Sequence, residues 1–252
     1  MSNKLIIGLF TFILLAVVGS VFTLKAQYDK IDKNDPFLGY TRHIVKPFKF
    51  IKLNGYPFGY VQIQPGKTFE VILRDEQFFQ KDIFDSWKIS GDTLVIEHGR
   101  KDPVDFFTKV FSDSPLVYVT APKLSGITSK GFPGKVSGWK SDTATIDLDN
   151  SGMILTNNSF NKLSIDAHSG SYVEIANGNK LGTTNIQAKD SSRIVTNNKD
   201  VVTYYGADST HILLRNAKNP KASVTHFGLD SMHVDKIVVK KPAVKSAGIQ
   251  KR

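Results

Sequence analysis

Residues 155–158, 175–178 and 195–198 read Leu-Thr-Asn-Asn, Ile-Ala-Asn-Gly and Val-Thr-Asn-Asn, three related tetrapeptides whose third position recurs every 20 residues. A fourth asparagine, Asn216, follows 19 residues after the third. The repeat extends over residues 144–216. A near-constant period of about 20 residues is typical of chains that stack one supersecondary unit on the next. We therefore expect this segment to form the regular part of the fold.

Short strand-like runs precede the tetrapeptides, and apolar residues occur at matching positions in each run. In residues 145–149, the side chains alternate between an apolar and a polar side, as in a β-strand with one buried face. Stacking of successive runs would bring large apolar side chains together at a spacing of about 4.8 Å. The predicted core column consists of Ile146, Ile165, Ile186 and Tyr204.

The recurring asparagines predict a structural ladder, in which side-chain amides hydrogen-bond from one repeat to the next at a corner of the chain. Asparagine suits such a corner because it also tolerates a left-handed backbone. The alternative is a set of turn-favouring residues that share a spacing but make no contact. The predicted ladder consists of Asn157, Asn177, Asn197 and Asn216.

The composition excludes several classes of site. Cysteine is absent from the 252 residues, which excludes disulfides, thiolate metal sites and cysteine nucleophiles. The net charge is +10, and residues 239–252 form a basic tail. A basic balance can attract anionic lipid, nucleic acid or acidic glycan, or can serve only solubility. Because the tail contains no aromatic residue, we predict no nucleic-acid partner.

The N-terminus carries 20 uncharged residues at positions 5–24, a length that spans a membrane as a helix. The alternative is a cleaved signal peptide, whose apolar region is normally shorter. We predict a signal anchor or signal peptide over residues 1–27 and a tether over residues 28–46. The chain would then be a single-pass cell-membrane protein with an extracytoplasmic head, or a secreted protein after cleavage. The lysines that follow the apolar segment would instead favour a cytoplasmic head.

Many short strand signals separated by turns lie between residue 47 and the repeats. Residues 60–63 and 69–73 flank the turn Gln64-Pro65-Gly66-Lys67, and this arrangement predicts a β-hairpin. Residues 87–89 and 93–96 flank Ser90-Gly91-Asp92 and predict a second hairpin. Because no long helix is predicted after the N-terminal segment, the pattern favours an all-β class.

Several of these motifs, in this order, resemble the head GIN domain family of Bacteroidetes-type envelope proteins, described as auto-transporter adhesins. They are residues 47–51, Gln64-Pro65-Gly66, and residues 91–96, 117–124 and 131–138. The resemblance covers roughly residues 45–235. It implies a right-handed parallel β-helix with glycine and serine at its corners, and it brings no catalytic residue.

The repeats and the resemblance together predict the architecture. We expect an all-β chain whose residues 47–238 form a GIN-like, right-handed single-stranded parallel β-helix, or β-solenoid, with its clearest coils at 144–216. This domain would begin with a β-hairpin region and follow one N-terminal transmembrane or signal helix.

Outward polar residues supply the candidate chemistry. Asp147, Asp149 and Asp166 would form an acidic ladder that could act as a glycosidase pair, bind calcium weakly, or serve only as a polar surface. His211 and His233 would stack on adjacent repeats and could share a metal ion, although no complete ligand set accompanies them. We expect no metal, no cofactor and no catalytic residue. The predicted interaction face consists of Asp147, Asp166, His211 and His233.

The sequence therefore predicts a non-enzymatic, adhesin-like protein of the cell envelope. Its membrane contact would be through residues 5–24, and its head would bind an envelope glycan or protein partner. The ends of the stack could also support self-association. Two alternatives are an enzyme that acts on polysaccharide and a scaffold or sensor head that regulates a membrane partner.

Overall fold

The computed structural model describes residues 3–30, 32, 34–56, 59–75, 86–98, 111 and 114–196, together with four short strands at 203–206, 211–214, 223–226 and 233–236. The basic tail at 239–252 lies outside these residues. The chain divides into two compact units, Met1–Tyr40 and Thr41–Arg252.

The first unit contains one long helix, α1, from Asn3 to Tyr28. Its segment Ile7–Tyr28 is long and apolar enough to cross a membrane, and its side chains are not buried against the protein. At about 1.5 Å per residue it extends about 33 Å, which matches a hydrocarbon core of about 30 Å. A signal sequence has a similar composition, so the helix fits both of the roles predicted for it.

The described residues also form nineteen strands. They are β1 (Tyr40–Ile44), β2 (Phe50–Asn54), β3 (Val61–Pro65), β4 (Glu70–Arg74), β5 (Ser86–Ser90), β6 (Thr93–Glu97), β7 (Val117–Ala121), β8 (Gly126–Lys130), β9 (Gly134–Ser137), β10 (Lys140–Asp149), β11 (Gly152–Thr156), β12 (Ser159–His168), β13 (Tyr172–Ile175), β14 (Lys180–Ala188), β15 (Arg193–Thr196), β16 (Thr203–Gly206), β17 (His211–Leu214), β18 (Ser223–His226) and β19 (His233–Lys236).

These strands build two sheets. The ten-stranded sheet has the order β1-β4-β7-β3-β9-β11-β13-β15-β17-β19, and the nine-stranded sheet has the order β18-β16-β14-β12-β10-β8-β2-β6-β5. From β8 onward, successive strands belong alternately to the two sheets. Each repeat of about 20 residues therefore contributes one strand to each sheet.

The repeats pair in a constant parallel register. Ile146 lies opposite Ile165, Ile165 opposite Ile186, and Ile186 opposite Tyr204. The three isoleucines are buried in one apolar core that also contains Leu155 of the ten-stranded sheet. Burial of each such side chain contributes roughly 1.5–3 kcal/mol relative to exposure. The predicted core column thus occupies adjacent strands and faces inward up to Ile186.

Most strands before residue 98 pair with strands that are not their neighbours in sequence. Strand β2 lies between β6 and β8 and is parallel to both, and β3 lies in the same way between β7 and β9. Strand β5 runs antiparallel to β6 and forms the predicted hairpin at residues 87–96. Strand β4 runs antiparallel to β7, so the predicted hairpin of residues 60–63 with residues 69–73 is wrong.

The predicted all-β, right-handed single-stranded parallel β-helix is also wrong. The chain has two mostly parallel sheets with antiparallel strands β4 and β5, and a 26-residue helix precedes them. The prediction failed because it counted one strand per repeat and assumed that neighbours in sequence are neighbours in space. Each repeat instead supplies two strands to different sheets, and the early strands insert between later ones.

Candidate functional site

The outer surface of the nine-stranded sheet carries a regular array of polar side chains. The apolar residues of β10, β12 and β14 point into the core, so the alternate residues face outward. Register partners across these strands are chemically alike: Thr145, Ser164 and Asn185 form one row, and Asp147, Asp166 and Gln187 form another. We call this surface the polar face; it consists of Thr128, Thr145, Asp147, Ser164, Asp166, Asn185 and Gln187.

At one end, the polar face is bordered by Lys130, Asp149 and His168, which we call its charged end. Lys130 Nζ lies 3.0 Å from Asp149 Oδ2. The His168 ring lies between two carboxylates, with Nε2 3.4 Å from Asp147 Oδ1 and Nδ1 3.5 Å from Asp149 Oδ1. The hydrogen bond from Lys130, then that from Ser169, lowers the pKa of Asp149 below its ordinary value. The same contact with Asp149 raises the pKa of Lys130.

Asp166 differs from its acidic neighbours. Its partner across β10 is Asp147 and its partner across β14 is Gln187. The Oδ1 atom of Asp166 is buried and has no hydrogen-bond partner among the described residues. A buried acceptor without a donor carries a free-energy cost, so Asp166 is a destabilising position within the polar face.

A buried serine ladder supports the charged end of the polar face from inside. The Ser151 N–H donates to Ser171 Oγ at 3.1 Å, and the Ser171 N–H donates to Ser192 Oγ at 3.1 Å. Ser151 Oγ donates to Ser129 Oγ at 3.0 Å. All four residues are fully buried. These bonds connect four successive repeats. They help to fix the strand register in which Asp149 lies opposite His168.

An asparagine ladder forms where the chain passes from the ten-stranded sheet to the nine-stranded sheet. It uses other residues than those predicted. Asn158 donates from its backbone N–H and its Nδ2 to Asn179 Oδ1, at 2.9 and 3.0 Å. Asn179 Nδ2 in turn donates to Leu155 O at 2.9 Å. Both asparagines are buried.

The predicted ladder residues Asn157 and Asn177 are exposed instead. Asn157 adopts a left-handed backbone with a φ of 56° and lies in the turn. The amide of the next residue, Asn158, is buried. The shared position in the tetrapeptides therefore marks the turn, and the hydrogen-bonding amide comes one or two residues later. Asn197 and Asn216 lie outside the described residues.

The structure separates the members of the predicted interaction face. Asp147 and Asp166 are register partners in the nine-stranded sheet. His211 and His233 are register partners on β17 and β19 of the ten-stranded sheet, so the two pairs lie on strands of different sheets.

The serine ladder left a signal in the sequence. Ser129, Ser151, Ser171 and Ser192 recur at intervals of 22, 20 and 21 residues, close to the period of the asparagines. Among the residues that the structure describes, no group of three or more His, Cys, Asp or Glu side chains has the arrangement of a metal site.

Comparison with known proteins gives structural neighbours only. No family model matches the chain, and no curated protein matches it. A candidate adhesin from Bacteroides fragilis has a crystal structure that aligns over 78% of this chain and 96% of its own, with a TM-score of 0.49 and 14% identity. A candidate adhesin from Parabacteroides merdae aligns over 78% of this chain and 95% of its own, with a TM-score of 0.33 and 12% identity.

A third neighbour, a candidate lipid-binding protein from Parabacteroides distasonis, aligns over 82% of this chain and 99% of its own, with a TM-score of 0.37 and 14% identity. At such identities and scores, the neighbours carry no functional assignment to this chain. Because no family model matches, membership of the head GIN domain family stays a prediction.

Proposed function

We propose that the chain is a non-enzymatic, adhesin-like protein of the cell envelope, held at the membrane by helix α1, whose polar face binds a polymeric or protein partner outside the cytoplasm. The single observation that carries this proposal is the in-register array of hydroxyl, carboxylate and amide groups on β10, β12 and β14.

The spacing of the array favours a repetitive ligand. Adjacent strands in a sheet lie about 4.8 Å apart, so the row that contains Asp147, Asp166 and Gln187 presents similar groups at equal steps. A polymer can then make the same weak contact several times, and linked contacts strengthen one another without any single strong one. A partner protein with an extended polar strand would use the same rows.

The carboxylates in and beside the array differ in how available they are to a partner. Asp149 is neutralised by Lys130, whereas the side chain of Asp147 is 55% exposed. Hydrogen-bond donors on a partner, such as sugar hydroxyls or backbone amides, would therefore be drawn to Asp147 before Asp149. This preference supports binding to glycan or peptide over binding to an anionic surface.

The direct test is binding of the full-length chain, in nanodiscs of zwitterionic lipid, to isolated envelope glycan and to whole envelope fragments. The variant Asp147→Asn/Asp166→Asn removes two charges from the polar face while keeping the side-chain shape. We expect at least ~tenfold weaker binding, which corresponds to about 1.4 kcal/mol.

The matched control is Glu70→Gln/Asp92→Asn, which also removes two charges, one on β4 of the ten-stranded sheet and one in the exposed turn between β5 and β6. If the two double variants bind equally well, the polar face is not the binding surface.

The polysaccharide-acting enzyme is the second candidate, and one observation favours it. Asp147 and Asp166 are direct register partners, and two neighbouring carboxylates can act as nucleophile and acid in glycoside hydrolysis. New reducing ends after incubation with a glycan panel, abolished in Asp166→Asn, would replace the binding role with a catalytic one.

A further inference from the structure

A cleft of about 520 Å³ opens on the nine-stranded sheet at the starts of β10 and β12. It lies at the other end of these ten-residue strands from Asp149 and His168, so it is separate from the charged end of the polar face. Its volume falls in the range of small-molecule sites, roughly 300–1,000 Å³. The lining residues used below are Lys123, Ser125, Trp139, Lys140, Asp142 and Asn161.

Trp139 forms part of the inner wall of this cleft. The residue is only 3% exposed, and its indole Nε1 has no hydrogen-bond partner among the described residues. Its backbone is held on both sides, because its N–H donates to Asn158 Oδ1 at 3.0 Å and its carbonyl accepts from the Ser159 N–H at 2.6 Å. Because the residue is buried and its backbone is held, it gives the cleft a fixed inner wall.

The charges around the cleft are unequal. Lys123 and Lys140 are both exposed, and neither has an ion-pair partner among the described residues. The only carboxylate among the lining residues, that of Asp142, accepts a hydrogen bond from Asn161 Nδ2 at 2.8 Å. Two ammonium groups thus face the cleft against one carboxylate that is already bonded.

We propose that this cleft binds a saccharide unit that carries an anionic group. The ammonium groups of Lys123 and Lys140 hold the anion through charge-assisted hydrogen bonds. The exposed side chains of Ser125 and Asn161 bond the sugar hydroxyls. A neutral sugar leaves both ammonium groups without a partner. Free phosphate leaves most of the polar lining unused.

The proposal reaches beyond the polar face, because the cleft uses different residues and discriminates by charge. The test uses the full-length chain in nanodiscs of zwitterionic lipid and follows binding by calorimetry. Trigalacturonate is the acidic probe, and maltotriose is the neutral probe. Inorganic phosphate and vesicles of anionic lipid serve as competitors that lack the sugar ring.

The chain has two tryptophans, so Trp139 can be observed alone in a Trp87→Phe background. We expect trigalacturonate to change the Trp139 fluorescence and to bind at least ~tenfold more tightly than maltotriose, since a charge-assisted bond is worth more than a neutral one. Equal affinity for the two probes, or displacement of trigalacturonate by phosphate or anionic vesicles at matched concentration, would overturn the proposal.

Variants locate the binding. Lys123→Gln/Lys140→Gln should weaken trigalacturonate binding at least ~tenfold, while the control Lys67→Gln/Lys189→Gln, at exposed positions away from the cleft, should leave it unchanged. Ser125→Ala removes a hydroxyl that bonds the sugar and should weaken binding; its melting temperature, measured beside it, shows whether the variant is folded.

Full binding by the Lys123→Gln/Lys140→Gln variant would refute the site. The variant Asp147→Asn/Asp166→Asn should bind trigalacturonate normally, so failure of the cleft and failure of the polar face are distinguishable.

Discussion

The repeats at residues 126–196 and the strands before residue 98 reach the same core by different means. Of the ten buried polar residues in the described structure, eight lie between Ser129 and Thr196, and they include both ladders. The earlier strands bury mainly apolar side chains, such as Leu53 and Ile63. In the repeats, hydrogen bonds between equivalent residues align one strand with the next. In the earlier strands, position depends on apolar contact with strands distant in sequence.

The register of a repeat strand is set by the neighbouring repeats, whereas the position of an inserted strand depends on strands that are distant in sequence. Strand β2 pairs with β6 and β8, so both of these later strands must be in position before β2 can complete its hydrogen bonds. Strand β12 pairs with β10 and β14, which repeat its own pattern. We therefore expect core truncations to destabilise both regions alike, and losses of side-chain hydrogen bonds to matter mainly in the repeats.

The largest effect should come from truncating core leucines. Leu53 in β2 and Leu148 in β10 are both fully buried in the same apolar core. Leu53→Ala and Leu148→Ala should each lower the free energy of unfolding by about 3–5 kcal/mol, because each leaves a cavity. Guanidinium titration of the full-length chain, followed by circular dichroism, measures this loss.

The same titration tests whether the two regions unfold together. Trp87 reports on β5 and Trp139 on the repeats, so single-tryptophan variants follow each region separately. A shared core predicts coincident transitions in both leucine variants. An early Trp87 transition in Leu53→Ala, with Trp139 unaffected, would show that the inserted strands form a separate unit.

The asparagine ladder should give the next largest effect. Asn158→Ala removes the acceptor for the backbone N–H of Trp139 and the donor to the Val136 carbonyl oxygen, both at 3.0 Å. Leaving buried groups unpaired costs about 1–3 kcal/mol each, so we expect a loss of about 2–4 kcal/mol in the same titration.

The neighbouring Asn157 provides the control for the ladder. It is exposed with a φ of 56°, and Asn157→Gly should change stability by no more than about 0.5 kcal/mol, because glycine adopts that backbone freely. If Asn157→Gly is as destabilising as Asn158→Ala, the ladder does not align the repeats.

The smallest effect should be the pH dependence of the exposed Lys130–Asp149 pair. The pKa of Asp149 is lowered in the folded protein, so its contribution is present above the unfolded pKa and is lost as pH falls through the folded pKa. Lys130→Gln should lower the melting temperature near neutral pH by no more than about 2 °C. The difference from wild type should shrink below the ordinary Asp pKa of 3.8.

Calorimetric scans from pH 7 to pH 2 measure this difference, with Lys67→Gln as a control at an exposed site. A difference that grows as the pH falls would contradict the assigned direction of the Asp149 pKa.

The sequence allowed the register of the repeats to be predicted, because Ile146, Ile165 and Ile186 recur at a spacing that only aligned strands would share. It could not show that β2 and β3 insert between later strands, since nothing in the sequence of a short apolar strand identifies the strand with which it pairs. The turn at Asn157 was visible as a pattern. The buried role of Asn158 was not, because adjacent asparagines look alike until the backbone direction is known.

Of the candidate site, the acidic row was predictable from alternation along β10 and β12. The pairing of His168 with Asp147 and Asp149 depends on a register that brings the ends of two strands together. The cleft at Trp139 was not predictable, because its lining comes from residues 122–125 and from the starts of two later strands.

Each repeat adds one strand to each sheet, and the antiparallel strands β4 and β5 lie at the side of the stack formed by the early part of the chain. Duplication or deletion of one repeat in the interior would therefore change the span of the head in increments of about 4.8 Å, while the early strands kept their neighbours. A chain with one repeat more or fewer would in this way change the width of both sheets together, with no redesign of its first hundred residues.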